Sequence, residues 1–373
     1  MSPTKVWAMA RKEMLQASRD PLSLLMLMGV PTMMLVLYGY AINFDVRHVS
    51  LAVRDLDKSA RSRDLVAAFV NSTYFDLRAD VDASADLERL LETRVAKAVL
   101  VIPEGYARTL AEGRRAAVQL LVDGADANTA TTVVGYASSI ASEVNVELAA
   151  EAAGRPLPAP VSYEPRVFYN PELRSTQFLV PGLIGFILML TAVLSTALAV
   201  VREKERGTME QLRVTSLRSG ELIVGKMLPY LLISLGAAVL IVVAARILFG
   251  VAVRGPYWAL LAATLVYLIG ALGFGLLVSS ASETQAVAFQ VGMVSSMLPA
   301  IFLSGFIFPI PSMPVPLQVI TYAVPARYFN VILRGVILKG AGLLPYWRDL
   351  AFLVLYAVVV NAIAYVRLTR REA

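Results

Sequence analysis

The sequence predicts an α-helical polytopic membrane protein: six transmembrane helices, one followed by five, with an α/β extracytoplasmic domain inserted after the first. Three observations carry this. The chain has 373 residues, 57% hydrophobic and 17% charged, with mean hydropathy +0.64, too apolar for a soluble protein of that size. Apolar runs of about 20 residues, the length that crosses a hydrocarbon core as a helix, recur at 22–42, 178–201, 222–249, 257–279, 286–308 and 350–366. Charge is also divided unevenly. Residues 43–174 hold 15 Lys/Arg against 19 Asp/Glu, so of the net +6 the remaining segments carry +10, gathered beside the apolar runs. Membrane topology imposes that distribution; nucleic-acid binding does not.

Residues 1–21 precede the first run and read as a cytoplasmic amphipathic helix over 2–19. Spaced at 100° per residue, Val6, Ala10 and Met14 share a face with Trp7 at its edge, while Lys5, Lys12 and Arg19 cluster opposite. Glu13 and Leu15 fall on the wrong sides. Pro21 ends the helix, because the residue before a proline disfavours helical geometry. Two readings stand: a positive-inside anchor, or an interfacial helix leaning on the bundle. The first span, 22–42, is too long for a signal-peptide core and is followed by no small-x-small cleavage site, and Pro31 should kink it.

Residues 43–174 have soluble composition and the size of a domain. Short apolar runs at 49–53, 96–103 and 116–123 read as strands, and 64–70, 86–93, 105–111 and 127–153 as helices. Their alternation predicts a small α/β fold. A breaker-rich connection at 154–160 leads to a last extended segment at 161–169.

Residues 175–373 hold the other five spans. The basic flank Lys5, Arg11, Lys12 and Arg19 keeps the N-terminus in the cytoplasm, and six crossings return the C-terminus there, anchored by Arg367, Arg370 and Arg371. Trp258 and Trp347 then fall at outer ends, as aromatic belts require, whereas Arg327, Arg334 and Lys339 on the outer side run against the charge rule. The same count places 202–220 inside, with five basic residues among 202–218. Within it Gly207 and Thr208 suit the end of one helix and the cap of another over 209–217, which would present Leu212 and Leu217 amid charge. Such a helix suits docking to a cytosolic partner; a solvated positive-inside turn has the same composition.

Sites for chemistry are missing. Without cysteine there is no disulfide or thiolate metal site, and the single histidine, His48, builds no metal centre, so no metal is expected. GELIVGKM at 220–227 imitates a phosphate loop but carries Met227 where Ser or Thr must hold Mg²⁺, and it opens a membrane span, so it reads as a glycine-tolerant helix with Lys226 as a cytoplasmic anchor lysine. Gln177, Gln290 and Asn361 are polar and embedded; they either line a path or hydrogen-bond between helices.

The wording of the charged segment carries a family resemblance. EKERGTMEQL at 203–212, VT at 214–215 and GK at 225–226 resemble the signature of ABC-2 type permeases, the membrane subunits of bacterial ABC exporters. LSGFIFPIPSMP at 303–314, YAVPARYF at 322–329 and ILRGVILKG at 332–340 resemble that family's outer re-entrant hairpin, here 309–343. The layout of one span, an external domain and five further spans is similar to that of the multidrug-efflux-permease subset. The resemblance covers essentially the whole chain, specific in its second half and architectural only over the external domain. Ser216 stands where many relatives carry proline.

The resemblance implies that Glu203, Glu205, Arg206, Gly207, Thr208, Glu210 and Leu212 belong to a segment coupling the chain to a separate ABC ATPase subunit. ATP and Mg would be held on that partner, and no cofactor on this chain. Gly305, Pro309, Pro311, Pro314, Pro325, Arg327, Tyr328, Arg334 and Gly335 would build the hairpin, with the prolines breaking the fifth span. The N-terminal helix would connect to the core. Two copies, or this chain and a similar one, would enclose the path in the bacterial inner membrane, a periplasmic adaptor being a further expected partner. The implied function is ATP-driven export of a drug-like amphiphile or lipid-like molecule, by a subunit that is not itself an enzyme. An ion-coupled secondary carrier is the rival; it would need an acidic residue deep in the bilayer, and no span carries one. An envelope receptor or assembly protein acting through the external domain would leave the basic segment unexplained.

Overall fold

The computed structural model of the chain describes residues 2–19, 25–41, 48–82, 86–125, 127–152, 168–170, 174–207 and 219–372. It separates into two compact units, one formed by Met1–Asn43 with Val167–Ala373 and the other by Phe44–Arg166.

In the first unit α1 spans Pro3–Ser18, followed by a π-helical turn, Leu25–Gly29, and α2, Val30–Ala41. The π turn lies immediately before Pro31, whose ring and missing N–H disturb the preceding turn of helix. The first and last residues of the expected 22–42 span lie outside the described residues.

The second unit, Phe44–Arg166, interrupts the first in sequence. Its strands are β1 (Val49–Asp55), β2 (Phe75–Asp80), β3 (Ala98–Ile102) and β4 (Gln119–Val122), and its helices α3 (Ala60–Asn71), α4 (Leu87–Glu92), α5 (Tyr106–Ala111) and α6 (Ala127–Ala152). They form one sheet of order β2-β1-β3-β4, with β1 parallel to β2 and to β3 and β4 antiparallel to β3. β3 is apolar on both faces, as a central strand with two covered faces must be, whereas β1 sets Val49, Leu51 and Val53 on one face and Ser50, Ala52 and Arg54 on the other. Leu51, Val53, Leu100 and Ile102 pack with Phe69 and Phe75 in one core; Ala52 and Val99 meet Leu87, Leu90 and Leu91 in the other. Ser59 and Asp86 cap α3 and α4 through bonds to the N–H groups of Ser62 (3.0 Å) and Arg89 (3.2 Å). After β1, a hydrogen bond with Ser59 draws the Asp57 carboxyl below the usual range; desolvation opposes this, and backbone donors led by the Ala107 N–H assist it.

β2 was not expected. Its sequence, FDLRAD, puts charge on alternate positions of an edge strand with little to bury, so it gives almost no hydrophobic signal. The other strands and the helices fall where the alternation of patterns places them. The predicted connection 154–160 lies outside the described residues, as does the extended segment up to 167, and residues 168–170 form no strand.

The first unit continues with α7 (Ser175–Glu205), α8 (Ser219–Phe249), α9 (Tyr257–Ala281), α10 (Gln285–Phe302), the short α11 (Val315–Thr321), α12 (Pro325–Lys339) and α13 (Trp347–Glu372). Among the described residues, five helices are long and apolar enough to cross a membrane: α7, α8, α9, α10 and α13; Leu27–Ala41 is a shorter apolar helix. α7 is the centre of the bundle, with 78% of its apolar window buried inside the chain against 22% for α10. Hydroxyls link it to α9: Thr196 Oγ1 of α7 donates to the Leu272 carbonyl (3.1 Å), and Tyr267 Oη of α9 donates to the Gly185 carbonyl of α7 (2.8 Å).

The fifth apolar run is corrected. Residues 286–308 read as one span, but α10 ends at Phe302 and Gly305 adopts φ +73°. Apolar residues continue to Phe308, so hydropathy cannot register that the helix has stopped. α7 errs the other way, running beyond 201 because Arg, Glu and Lys are good helix formers.

Candidate functional site

The last turn of α7 carries four consecutive charged residues, Arg202 to Glu205, the last three being Glu203, Lys204 and Glu205, before Gly207 turns left-handed at φ +69° and stops the helix as its sequence predicts. Successive helical side chains point about 100° apart. These three therefore fan out toward different neighbours.

Glu203 points inward. Its carboxylate accepts from Lys12 Nζ of α1 (2.8 Å) and from Lys226 Nζ of α8. Glu13 lies 3.3 Å from Lys12 and 3.6 Å from Lys226, so two carboxylates and two ammonium groups form one neutral cluster. Desolvation pulls the Lys12 pKa down, but the hydrogen bond to Glu203 and the charges of Glu13 and Glu203 overcome it and hold it above the ordinary lysine value. Lys204 reaches the end of α9 and donates to the carbonyls of Ser279 and Ser282, a cation at a helix C-terminus. Glu205 reaches the start of α10, accepting from the Gln285 N–H (2.7 Å) and from the Gln285 carboxamide, an anion at a helix N-terminus. One helical turn is thus tied to α1, α8, α9 and α10. Arg206 and Gly207 are exposed beyond it; Thr208, Glu210, Leu212 and the expected helix 209–217 lie outside the described residues.

The seat of α1 explains the Gly225–Lys226 pair. A Cβ at Gly225 would stand 2.7 Å from Met9 Cβ and 3.3 Å from the Val6 carbonyl, so only glycine lets α1 approach α8 this closely. Lys226, next in sequence, supplies the ion pair. The Ser2 N–H also bonds Glu221 (2.6 Å). Met9, Ala10, Glu13 and Ala17 form the buried face of α1, and Leu15 is exposed. The two residues that spoil the helical wheel are on the sides the cluster requires.

At the opposite end of α7 the hairpin residues come together. Pro309 precedes, and Pro311 lies in, a 3₁₀ turn at Ile310–Ser312; Pro314 caps α11, and Pro325 opens α12. Arg334 of α12 donates to the carbonyls of Gly305 (2.9 Å) and Phe306 (3.2 Å), while its guanidinium stacks 3.8 Å over Phe178 of α7. It supplies donors to backbone that the end of α10 leaves without helical partners. Asn330 bonds Ser304 (3.1 Å). Arg327 stacks 4.0 Å over Tyr322 and bonds Thr321, and Tyr328 Oη donates to the Tyr322 carbonyl (2.8 Å), closing the turn between α11 and α12. Gly335 admits the Tyr346 ring, which a Cβ would strike.

The three embedded amides are not brought together. Asn361 of α13 donates to Ile269 O of α9 (3.1 Å) above Gly273, making it an interhelical link; Gln290 is exposed on α10, and Gln177 is half-buried in the first turn of α7. Below the hairpin, Met189, Phe274, Ser296, Pro299, Pro325 and Tyr356 line part of an apolar cavity of about 280 Å³. Ser296 spends its hydroxyl on the Gly292 carbonyl. Among the described residues no group of acidic or histidine side chains could hold a metal ion.

Sequence reasoning missed Lys12, Glu13, Gln285 and the inward role of Lys226, which read as an anchor. The available signals were an acid on an otherwise apolar helical face and a lysine directly after a glycine.

Two comparisons with known proteins extend these observations. The model of the family described as ABC-2 family transporter protein matches residues 22–366. The "Probable multidrug ABC transporter permease YbhS" of Escherichia coli (strain K12) is 31% identical over 372 residues, covering 100% of this chain and 98% of that protein. The "Probable multidrug ABC transporter permease YbhR" of the same organism is 29% identical over 98% of this chain and 99% of its own length. The "Inner membrane transport permease YhhJ", also from that strain, is 28% identical over 83% and 81% respectively. With a match that runs from the first apolar span to the last, the chain belongs to the ABC-2 family of transporter proteins.

Proposed function

We propose that this chain is the permease subunit of an ATP-driven exporter of the bacterial inner membrane, with ATP hydrolysed on a separate ABC ATPase subunit that holds ATP and Mg. Family membership and the names of the relatives support the permease role. In this reading α2 with residues before it is a sixth span, residues 43–174 form an extracytoplasmic α/β domain, and both termini are cytoplasmic. Two such subunits, identical or similar, face each other across the path. The exported molecule is a drug-like amphiphile or a lipid-like molecule, a class supported by the apolar cavity beneath the hairpin. The external domain is available to a periplasmic adaptor.

The observation that carries the coupling is the fan of Glu203, Lys204 and Glu205. The ATPase subunit holds the segment that begins at Arg206, and a displacement there is delivered at once to α1, α8, α9 and α10. A ligand shifts a conformational equilibrium only through its different affinity for the two states, so the ATP-bound and free partner must hold this segment differently. No observation favours an ion-coupled carrier: among the described residues the buried carboxylates, Glu13, Glu203 and Glu221, all lie near the end of the bundle where α7 stops.

The test is Glu205→Ala with Arg206→Ala in the chain reconstituted with its ATPase subunit. Substrate-stimulated ATP hydrolysis and efflux should fall by about tenfold or more, within the range of allosteric coupling energies, with insertion unchanged. Wild-type transport by this variant would remove the coupling role.

A further inference from the structure

The acid of α1 is spent inside the protein, and this determines what its outer face can bind. Glu13 is the only acidic residue between Met1 and Arg19, and it is buried against Lys12 and Lys226. The exposed surface of the helix is left with cations, among them Arg11 and Arg19, beside Trp7, which is 67% exposed, and Leu15 at 44%. Between α1 and α8 lies a notch of about 160 Å³, walled by Trp7, Ala10, Met14, Leu228, Pro229 and Leu232, with Arg11 also lining it. The walls are apolar and the one charge is a guanidinium, whose planar fork matches phosphate oxygens.

We propose that this notch holds the headgroup-proximal segment of one acyl chain of an anionic phospholipid, with the lipid phosphate on Arg11. A cation beside an apolar slot and an interfacial tryptophan is the complement of a phospholipid, apolar below and anionic above. A soluble protein partner would leave the apolar walls and Trp7 without a matching hydrocarbon. Because α1 is fixed to Glu203 through Lys12 and to Lys226 through Glu13, a lipid seated here also steadies the helix that meets the coupling turn. The assignment rests on the cytoplasmic, membrane-surface placement of α1 but not on ATP coupling, and its readout is lipid contact, so either reading can fail alone.

The test uses the full-length chain with Trp7 as its sole tryptophan (Trp258→Phe, Trp347→Phe), reconstituted in phosphatidylcholine vesicles. Brominated-chain phosphatidylglycerol is compared with brominated-chain phosphatidylcholine as a quencher of Trp7 fluorescence. The phosphatidylglycerol should reach half-maximal quenching at about fivefold lower mole fraction, the selectivity of one cationic side chain at a membrane surface. Arg11→Gln should erase that preference and Arg11→Lys should retain part of it. Equal quenching by both lipids, which is ordinary bilayer contact, would overturn the proposal. So would quenching by neither, which would mean that a protein partner covers the helix.

Discussion

The ammonium of Lys226 bonds the carboxylate of Glu203 where the two side chains are only 4% and 7% exposed. Neither charge is left alone there. Glu13 and Lys12 complete a neutral group of four, drawn from α1, α7 and α8. The start of the charged segment is thus a buried joint, and its exposed part begins only with Glu205 and Arg206.

Charge balance makes a distinctive prediction for this joint. Lys226→Met leaves two buried carboxylates facing one half-exposed ammonium and should cost about 3–5 kcal/mol, the usual penalty for stranding a buried charge. Adding Glu203→Gln leaves the Lys12–Glu13 pair neutral, so the double variant should be more stable than the single one. Thermal unfolding in detergent reads the order, and protease cleavage of residues 2–19 reads whether α1 has detached. The reverse order would show that the four groups do not act together. Since Lys12 is held above its ordinary pKa, its contribution is fully present below the unfolded value of about 10.4 and is lost as pH rises through the folded one. Docking of α1 should therefore be insensitive to pH across the neutral range.

Hydropathy and charge made the long helices of this unit legible, because apolar length is a local property of the sequence. The joint was less so. Lys226 looked like an anchor lysine, since its partners are supplied by residues 12, 13 and 203, and pairing across such separations leaves no periodic trace. Glu13 was visible as an offence against amphipathicity, but nothing nearby in sequence said what it faced. The end of α10 at Phe302 was hidden for a different reason: the residues after it stay apolar, and it is Arg334, far along the chain, that supplies donors to their carbonyls. β2 was hidden because an edge strand with alternating charge has no apolar face to announce it.

Gly225 and Gly236 both lie in α8 and should respond with opposite sign. Gly→Ala within a helix gains up to about 1 kcal/mol in backbone propensity when space allows. At Gly236 the nearest atom, Met28 Cε, is 3.4 Å from the new Cβ, an ordinary contact. Gly236→Ala should be neutral or stabilising. At Gly225 the new Cβ meets Met9 Cβ at 2.7 Å, and α1 must move, costing about 1–3 kcal/mol as overpacking does. The check is thermal unfolding of both variants together with hydrogen exchange of α1; protection of α1 unchanged in Gly225→Ala would show that the close approach is not needed.

Arg334 should hold the hairpin through geometry as well as charge. Its fork serves the Gly305 and Phe306 carbonyls while its plane lies on Phe178, and a lysine, with one nitrogen and no plane, cannot do all three. Arg334→Gln should cost about 2–3 kcal/mol, since hydrogen bonds from a charged donor are worth more than neutral ones and the carbonyls lie in a partly buried break. Arg334→Lys should recover only part of that. The loss should localise: hydrogen exchange should rise over 303–314 and in α11, while the cluster at the other end of α7 stays protected. Equal loosening at both ends of α7 would mean that Arg334 supports the whole bundle and not the hairpin, and full rescue by lysine would reduce its role to charge alone.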